Sequence, residues 1–152
     1  MATQMEAGRK SVVVTGGGSG IGLAMTRHFA SEGHLVAILD VNTASGLKVA
    51  AELASEYPNA QVTFKKCDVS SWKEQAAVFK EVFEEHGGKI DVVLANAGIS
   101  EQGETSSVDL KEETPSEPRL GAINVNLIGV IYCESGAPSR FEVLVLTPAR
   151  QR

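Results

Sequence analysis

The chain has 152 residues, 43% of them hydrophobic, and a formal net charge of −5 from 14 Lys and Arg against 19 Asp and Glu. That length suits one domain, able to bury roughly two thirds of its unfolded surface. The acidic balance and the lack of a basic run argue against nucleic acid as a partner, and no apolar stretch is long enough for a bilayer span, so no membrane partner is expected.

Met1 to Lys10 is polar and lacks a signal-peptide core, so the expected localisation is cytoplasmic. The apolar run Val12-Val13-Val14 leads straight into Thr15-Gly16-Gly17-Gly18-Ser19-Gly20-Ile21-Gly22, and a helical pattern follows. A β-branched strand, a glycine-rich turn and a helix N-terminus together form a device for holding phosphate. Glycines let the backbone turn tightly and approach a pyrophosphate, while first-turn N–H groups and the helix dipole face the anion. No Lys-Ser or Lys-Thr follows the last glycine, which excludes a nucleotide-hydrolase P-loop.

The next apolar run, Leu35-Val36-Ala37-Ile38-Leu39, ends in Asp40, about 20 residues beyond the glycines, where a carboxylate can bind a ribose 2′-hydroxyl. A carboxylate there repels a 2′-phosphate, and neither Arg nor Lys occupies Gly17, Gly18, Ser19, Val41 or Asn42 to offset it. NAD is therefore favoured over NADP.

Further strand-like runs start near Val62 and Ile90. The helical patterns between strands are Ile21, Ala24, Met25 and Phe29; then Leu47, Ala50, Leu53, Ala54 and Tyr57; then Trp72, Ala76, Phe79 and Phe83. Spacings of three and four place each set on one helix face, and the aromatic third set reads as core. Asn42-Thr43 and Ser70-Ser71 supply helix caps, and Gly87-Gly88 stops the third helix. Ser100 to Pro118 is polar and reads as a mobile loop. A helix resumes around Leu120 to Cys133, and Gly136 and Pro138 break it.

Unalternating strands, each followed by a helix, predict an α/β fold with a doubly wound parallel sheet in the order 3-2-1-4. The expected division is a dinucleotide-binding domain over 1–133 and a divergent C-terminal tail over 134–152, leaving the sheet incomplete at its C-terminal side. Phe141 to Leu146 is expected to be a disordered tail. The fourth strand, Ile90 to Ala95, would then keep an exposed sheet edge, open to a homo-oligomer or a longer partner.

Cys67 and Cys133 lack CxxC spacing and read as buried thiols in a reducing compartment. His28, His34 and His86 show no i, i+4 partner and read as surface or cap residues, so no metal is expected. The adjacent pairs Glu84-Glu85 and Glu112-Glu113 diverge on a helix and read as solvated surface.

From Lys10 to Tyr132 these residues resemble the classical short-chain dehydrogenase/reductase family, which implies a Rossmann-type sheet. The segment from Thr15 to Gly22 is similar to its T-G-x-x-x-G-x-G cofactor motif, which puts Gly16, Ser19, Gly20, Ile21 and Gly22 against the cofactor. Asp68-Val69 resembles its adenine-contacting pair, and Asp68 read alone is equally a turn former. Asn96-Ala97-Gly98 is similar to its N-N-A-G motif, with Ala95 in place of the first Asn. Asn124-Val125-Asn126-Leu127-Ile128-Gly129 resembles the helix segment whose Asn, by alignment Asn126, assists a catalytic proton relay.

The resemblance also implies a Ser, and a Tyr followed four positions later by a Lys that lowers its pKa. The chain's tyrosines are Tyr57 and Tyr132; Gly136 stands four residues beyond Tyr132, and no Lys occurs after Lys111. The abrupt change at Glu134 reads as a truncated product. Three functional readings follow. One is an NAD-dependent oxidoreductase acting on a small-molecule secondary alcohol or ketone. Another is a non-catalytic nucleotide-binding module or regulator pairing with a full-length relative. The last is an unfolded fragment.

Overall fold

The computed structural model describes residues 8–100, 119–136 and 142–144. The chain begins with β1 (Ser11–Thr15), α1 (Gly20–Ser31), β2 (Leu35–Asp40), α2 (Thr43–Glu56) and β3 (Gln61–Lys66). It continues with α3 (Trp72–Glu85), β4 (Val92–Leu94) and α4 (Gly121–Ile123). A π-helical turn (Asn124–Ile128), α5 (Gly129–Gly136) and β5 (Glu142–Leu144) complete the order. All pairings are parallel, in the order β3-β2-β1-β4-β5. The protein is thus a doubly wound α/β fold, with the predicted order intact for its first four strands.

Period-two alternation divides the sheet between two helical layers. Val12, Val14, Val36, Val92 and Leu94 face Met25 and Phe29 of α1, and Ile38 faces Val49, Ala50 and Leu53 of α2. On the opposite face, Val13, Ala37, Leu39 and Val93 meet Phe79 and Val82 of α3 and Cys133 of α5. Each fully buried Val or Leu contributes about 1.5–3 kcal/mol. The helix ends follow local chemistry. Asn42 caps α2 by accepting from the Ser45 amide, Ser71 caps α3 by accepting from the Glu74 amide, and Gly87 and Gly88 leave α3 with positive φ.

Several expectations are corrected. Glu142–Leu144 pairs with β4 in the register Val92↔Glu142, Val93↔Val143 and Leu94↔Leu144, so the edge of β4 expected to be exposed is covered. The helix runs on to Gly136, and the parallel connection from β4 to β5 exceeds the dozen or so residues that such a crossover needs. Of the predicted helical faces, Met25, Phe29, Ala50, Leu53, Tyr57, Phe79 and Phe83 do pack against the core, but the leading member of each set does not. Ile21, Leu47 and Trp72 are exposed at 70%, 56% and 46%, and the buried positions are Gly22, Thr26 and Ala30 in α1 and Gly46, Val49, Ala50 and Leu53 in α2. Small residues face the sheet because the helices lie close: a Cβ on Gly46 would overlap the Phe64 ring.

His86 is the C-cap of α3, as one of the two readings had it, but it is not at the surface. It is 1% exposed at the end of α3, and its Nδ1 lies 2.7 Å from the Ser11 hydroxyl. Burial pushes its pKa down to about 4, and Nε2 has no protein partner. The amide of Ser11 also donates to Asp91 at 2.6 Å, tying together the N-terminal end of the sheet, opposite the strand C-termini. Glu84 and Glu85 are exposed, with Glu85 joining Glu81 on the ammonium of Lys65. Glu112-Glu113 and the expected loop after Ser100 lie outside the described residues.

Candidate functional site

The strand order reverses between β1 and β4, and their C-terminal ends diverge there into a crevice. An open cleft of about 370 Å³ occupies this position. Gly16, Ser19, Gly20, Ile21 and Gly22 form one side and Asp40 stands at the rim. Asp68 and Val69 approach from β3, and Asn96, Ala97 and Gly98 from β4. Residues scattered across the sequence therefore share one cavity, because parallel strands all deliver their C-termini to the same edge.

The glycine turn is built by close approach. Gly16 has φ +65° and donates its amide to the Leu39 carbonyl at 2.7 Å. A Cβ on Gly22 would overlap the Gly16 carbonyl and stand 2.6 Å from Nδ2 of Asn96. The hydroxyl of Thr26 donates to the Gly22 carbonyl at 2.9 Å and reaches the Gly17 carbonyl at 3.3 Å, gripping the turn from below. Ser19 occupies the N-cap of α1 but makes no side-chain cap hydrogen bond. First-turn amides have no intrahelical acceptor, so this helix end presents donors to the cleft.

Asp40 is tied directly to that turn. Its Oδ2 accepts from the Gly18 amide at 3.1 Å, and its Oδ1 accepts from the Asn42 amide at 3.0 Å. The Ser45 hydroxyl donates to the Gly18 carbonyl at 2.8 Å from the other side. A negative charge is thereby held at the rim. Asp68 lines the cleft and also forms a turn, with Oδ1 accepting from the amide (2.9 Å) and hydroxyl (2.7 Å) of Ser70.

The β4 side is pinned to β1 through Thr15. Its hydroxyl accepts from the amides of Asn96 and Ala97, both at 3.0 Å, while Nδ2 of Asn96 donates to the Thr15 carbonyl at 3.0 Å. Asn126 is placed differently from the other predicted residues. Its side chain clasps Ile99, accepting from that amide at 2.8 Å and donating to its carbonyl at 2.9 Å, while the neighbouring Val125 lines the cleft. Asn126 lies in the π-helical turn, a widened geometry found frequently at functional sites.

Sequence reasoning missed Thr15 as a pin and Gln75 altogether. The signal for Gln75 was present, since it is a polar residue at i−4 to Phe79 and i−7 to Val82 on the buried face of α3. Tyr57 is the C-cap of α2, and Tyr132 packs against Trp72 with ring centroids 5.5 Å apart and planes inclined at 60°; neither lines the cleft. Cys67 and Cys133 are both buried, and desolvation pushes their thiols up to about 12. Among the described residues, no group of three or more His, Cys, Asp or Glu could hold a metal ion, and no helix is long and apolar enough to cross a membrane.

A doubly wound parallel sheet with a glycine-rich turn at its switch point defines the class of α/β dinucleotide-fold proteins. More narrowly, the chain belongs to the short-chain dehydrogenase family, whose sequence profile matches residues 10–140. A short-chain dehydrogenase/reductase from Acremonium egyptiacum is 40% identical over 124 residues, covering 81% of this chain and 38% of that protein. D-xylose 1-dehydrogenase from Caulobacter vibrioides is 36% identical over 129 residues, covering 82% of this chain and 45% of that one. The chain thus spans less than half the length of these curated relatives.

Among solved structures, an alcohol dehydrogenase from Thermococcus sibiricus complexed with 5-hydroxy-NADP superposes with a TM-score of 0.78 at 30% identity, over 95% of this chain and 61% of that one. An NAD+-bound xylitol dehydrogenase matches with a TM-score of 0.69 at 27% identity, over 84% and 46%. Both nicotinamide cofactors therefore occur among the neighbours.

Proposed function

We propose that the cleft binds NAD in preference to NADP and that the reaction of the lineage is hydride transfer to or from a secondary alcohol or ketone. Asp40 carries the cofactor reading. Its carboxylate is anchored on Gly18 at the cleft rim, where it can accept from ribose hydroxyls and would repel a 2′-phosphate. The other residues fit such a group. The helix N-terminus without a side-chain cap suits a pyrophosphate, and the lack of room for a Cβ at Gly22 keeps backbone at the phosphate position. The carboxylate of Asp68 suits an exocyclic amine, with Val69 supplying an apolar wall.

A bound nicotinamide supplies the hydride chemistry. The protein's own task is to hold it, exclude water and manage the carbinol proton. The last of these tasks lacks its usual group here, because the 152 residues contain no Tyr with a Lys four positions later. This favours a second reading, in which the chain is a nucleotide-binding module or regulator that pairs with a longer relative. Calorimetric titration of the purified chain with NAD and NADP tests the binding claim, and an NADH absorbance assay with simple secondary alcohols separates module from enzyme. Failure to bind either cofactor would reject both readings.

A further inference from the structure

Among the buried residues of α3, namely Gln75, Phe79 and Val82, Gln75 alone is polar, and it is 0% exposed. Nothing in the cofactor reading uses it. Its carboxamide is nonetheless fully employed. Nε2 donates to the Val69 carbonyl at 2.6 Å and to the Gly129 carbonyl at 2.9 Å, and Oε1 accepts the thiol hydrogen of Cys133 at 3.3 Å.

The two carbonyls belong to segments that form different walls of the cleft. Val69 itself lines it, and Gly129 follows the π-helical turn in which Val125 lines it. The segments approach as closely as backbone allows. A Cβ on Gly129 would stand 3.0 Å from Cγ2 of Val69 and 3.2 Å from its carbonyl oxygen. The seam between them, bordered by Val69, Val125 and Gly129, has no room for a water molecule. Two buried carbonyls this close repel each other unless a donor lies between them.

We propose that Gln75 is a positioning residue, a strap whose amide fixes the separation of the Val69 and Val125 walls and so sets the cleft's fit to its nucleotide. The inference rests on the nucleotide-binding reading above. Gln75→Met keeps the volume and removes both donors, leaving the two carbonyls to part. Loss of such buried hydrogen bonds is expected to weaken NAD binding about 3- to 10-fold.

The test is an NMR and calorimetric comparison of the 15N-labelled 152-residue parent with Gln75→Met. The amides of Ser70 and Val130 share peptide units with the two carbonyls. Both should shift in the variant, while the amides of Val49 and Leu53 in α2, on the other face of the sheet, hold still and NAD affinity falls. Unchanged affinity in a folded Gln75→Met chain overturns the proposal, as do unmoved Ser70 and Val130 resonances. Should the variant fail to fold, the parent still decides: slow solvent exchange of the Gln75 carboxamide protons supports the strap, and rapid exchange overturns it. A parent that binds no NAD defeats the nucleotide reading itself, an outcome distinct from a parent that binds and a variant that binds equally well.

Discussion

Gly22 lies so close to the carbonyl oxygen of Gly16 that a β-carbon on Gly22 would overlap it. The first turn of α1 and the exit of β1 therefore touch backbone to backbone. Gly22→Val is expected to force that contact open, displace Asn96 and abolish nucleotide binding, at a stability loss on the order of 1–3 kcal/mol. Gly16→Val acts differently, because a β-branched residue at φ +65° carries about 1–2 kcal/mol of backbone strain and its Cβ meets Cα of Ala97 at 3.0 Å. Calorimetry on both variants, with circular dichroism to verify the fold, checks this. Retained affinity in both would reduce the loop to a structural turn.

Asp40→Ala should narrow the preference for NAD over NADP by about 1–3 kcal/mol, the worth of a charged hydrogen bond together with relief of phosphate repulsion. The same change releases the Gly18 and Asn42 amides, so some loss of NAD affinity accompanies it. Parallel titrations with the two cofactors measure the difference. Equal affinities in the parent chain would show that Asp40 is not the selector.

Alcohol-dependent NADH formation by the homogeneous chain should be absent or extremely weak. General acid–base assistance is typically worth about 10²–10⁴-fold. Asn126, whose amide is committed to both backbone groups of Ile99, offers no substitute proton donor. Robust turnover in a spectrophotometric assay would overturn this expectation.

Acid should unfold the protein through His86. Its folded pKa, near 4, lies below the ordinary 6.5 because burial disfavours the imidazolium; Arg9 and Lys65 oppose the charge and Glu85 favours it. The unfolded chain therefore binds the extra proton first. Stability is full above about pH 6.5 and falls by roughly 3 kcal/mol as pH drops to about 4, then levels off for this group. The Asp91 carboxyl, whose pKa is lowered by the Ser11 amide and Lys89 against its desolvation, loses its own contribution at lower pH still. Urea titrations across this range should show the slope in the parent and a much flatter curve in His86→Gln. A parent curve already flat between pH 6.5 and 4 would contradict the assignment.

The sequence by itself determined the β-α rhythm, the strand order and the positions of the glycine turn, Asp40, Asp68 and the Asn96-Ala97-Gly98 segment. These were legible because they depend on local physics: apolar runs make buried strands, glycine permits a tight turn, and parallel strands deliver their C-termini to one edge. Tertiary structure alone decided what depends on distance between elements. Periodicity read most of each helical face but not its edges, since close packing placed Gly46 rather than Leu47 against the sheet. Pairing of Glu142–Leu144 with β4 depended on how far α5 carries the chain across the sheet, which Gly136 and Pro138 did not reveal. The bridges from Gln75, Thr15 and Asn126 escaped for the same reason. A hydrogen bond is specified by two partners and the separation between them, and the sequence displays the partners without the separation.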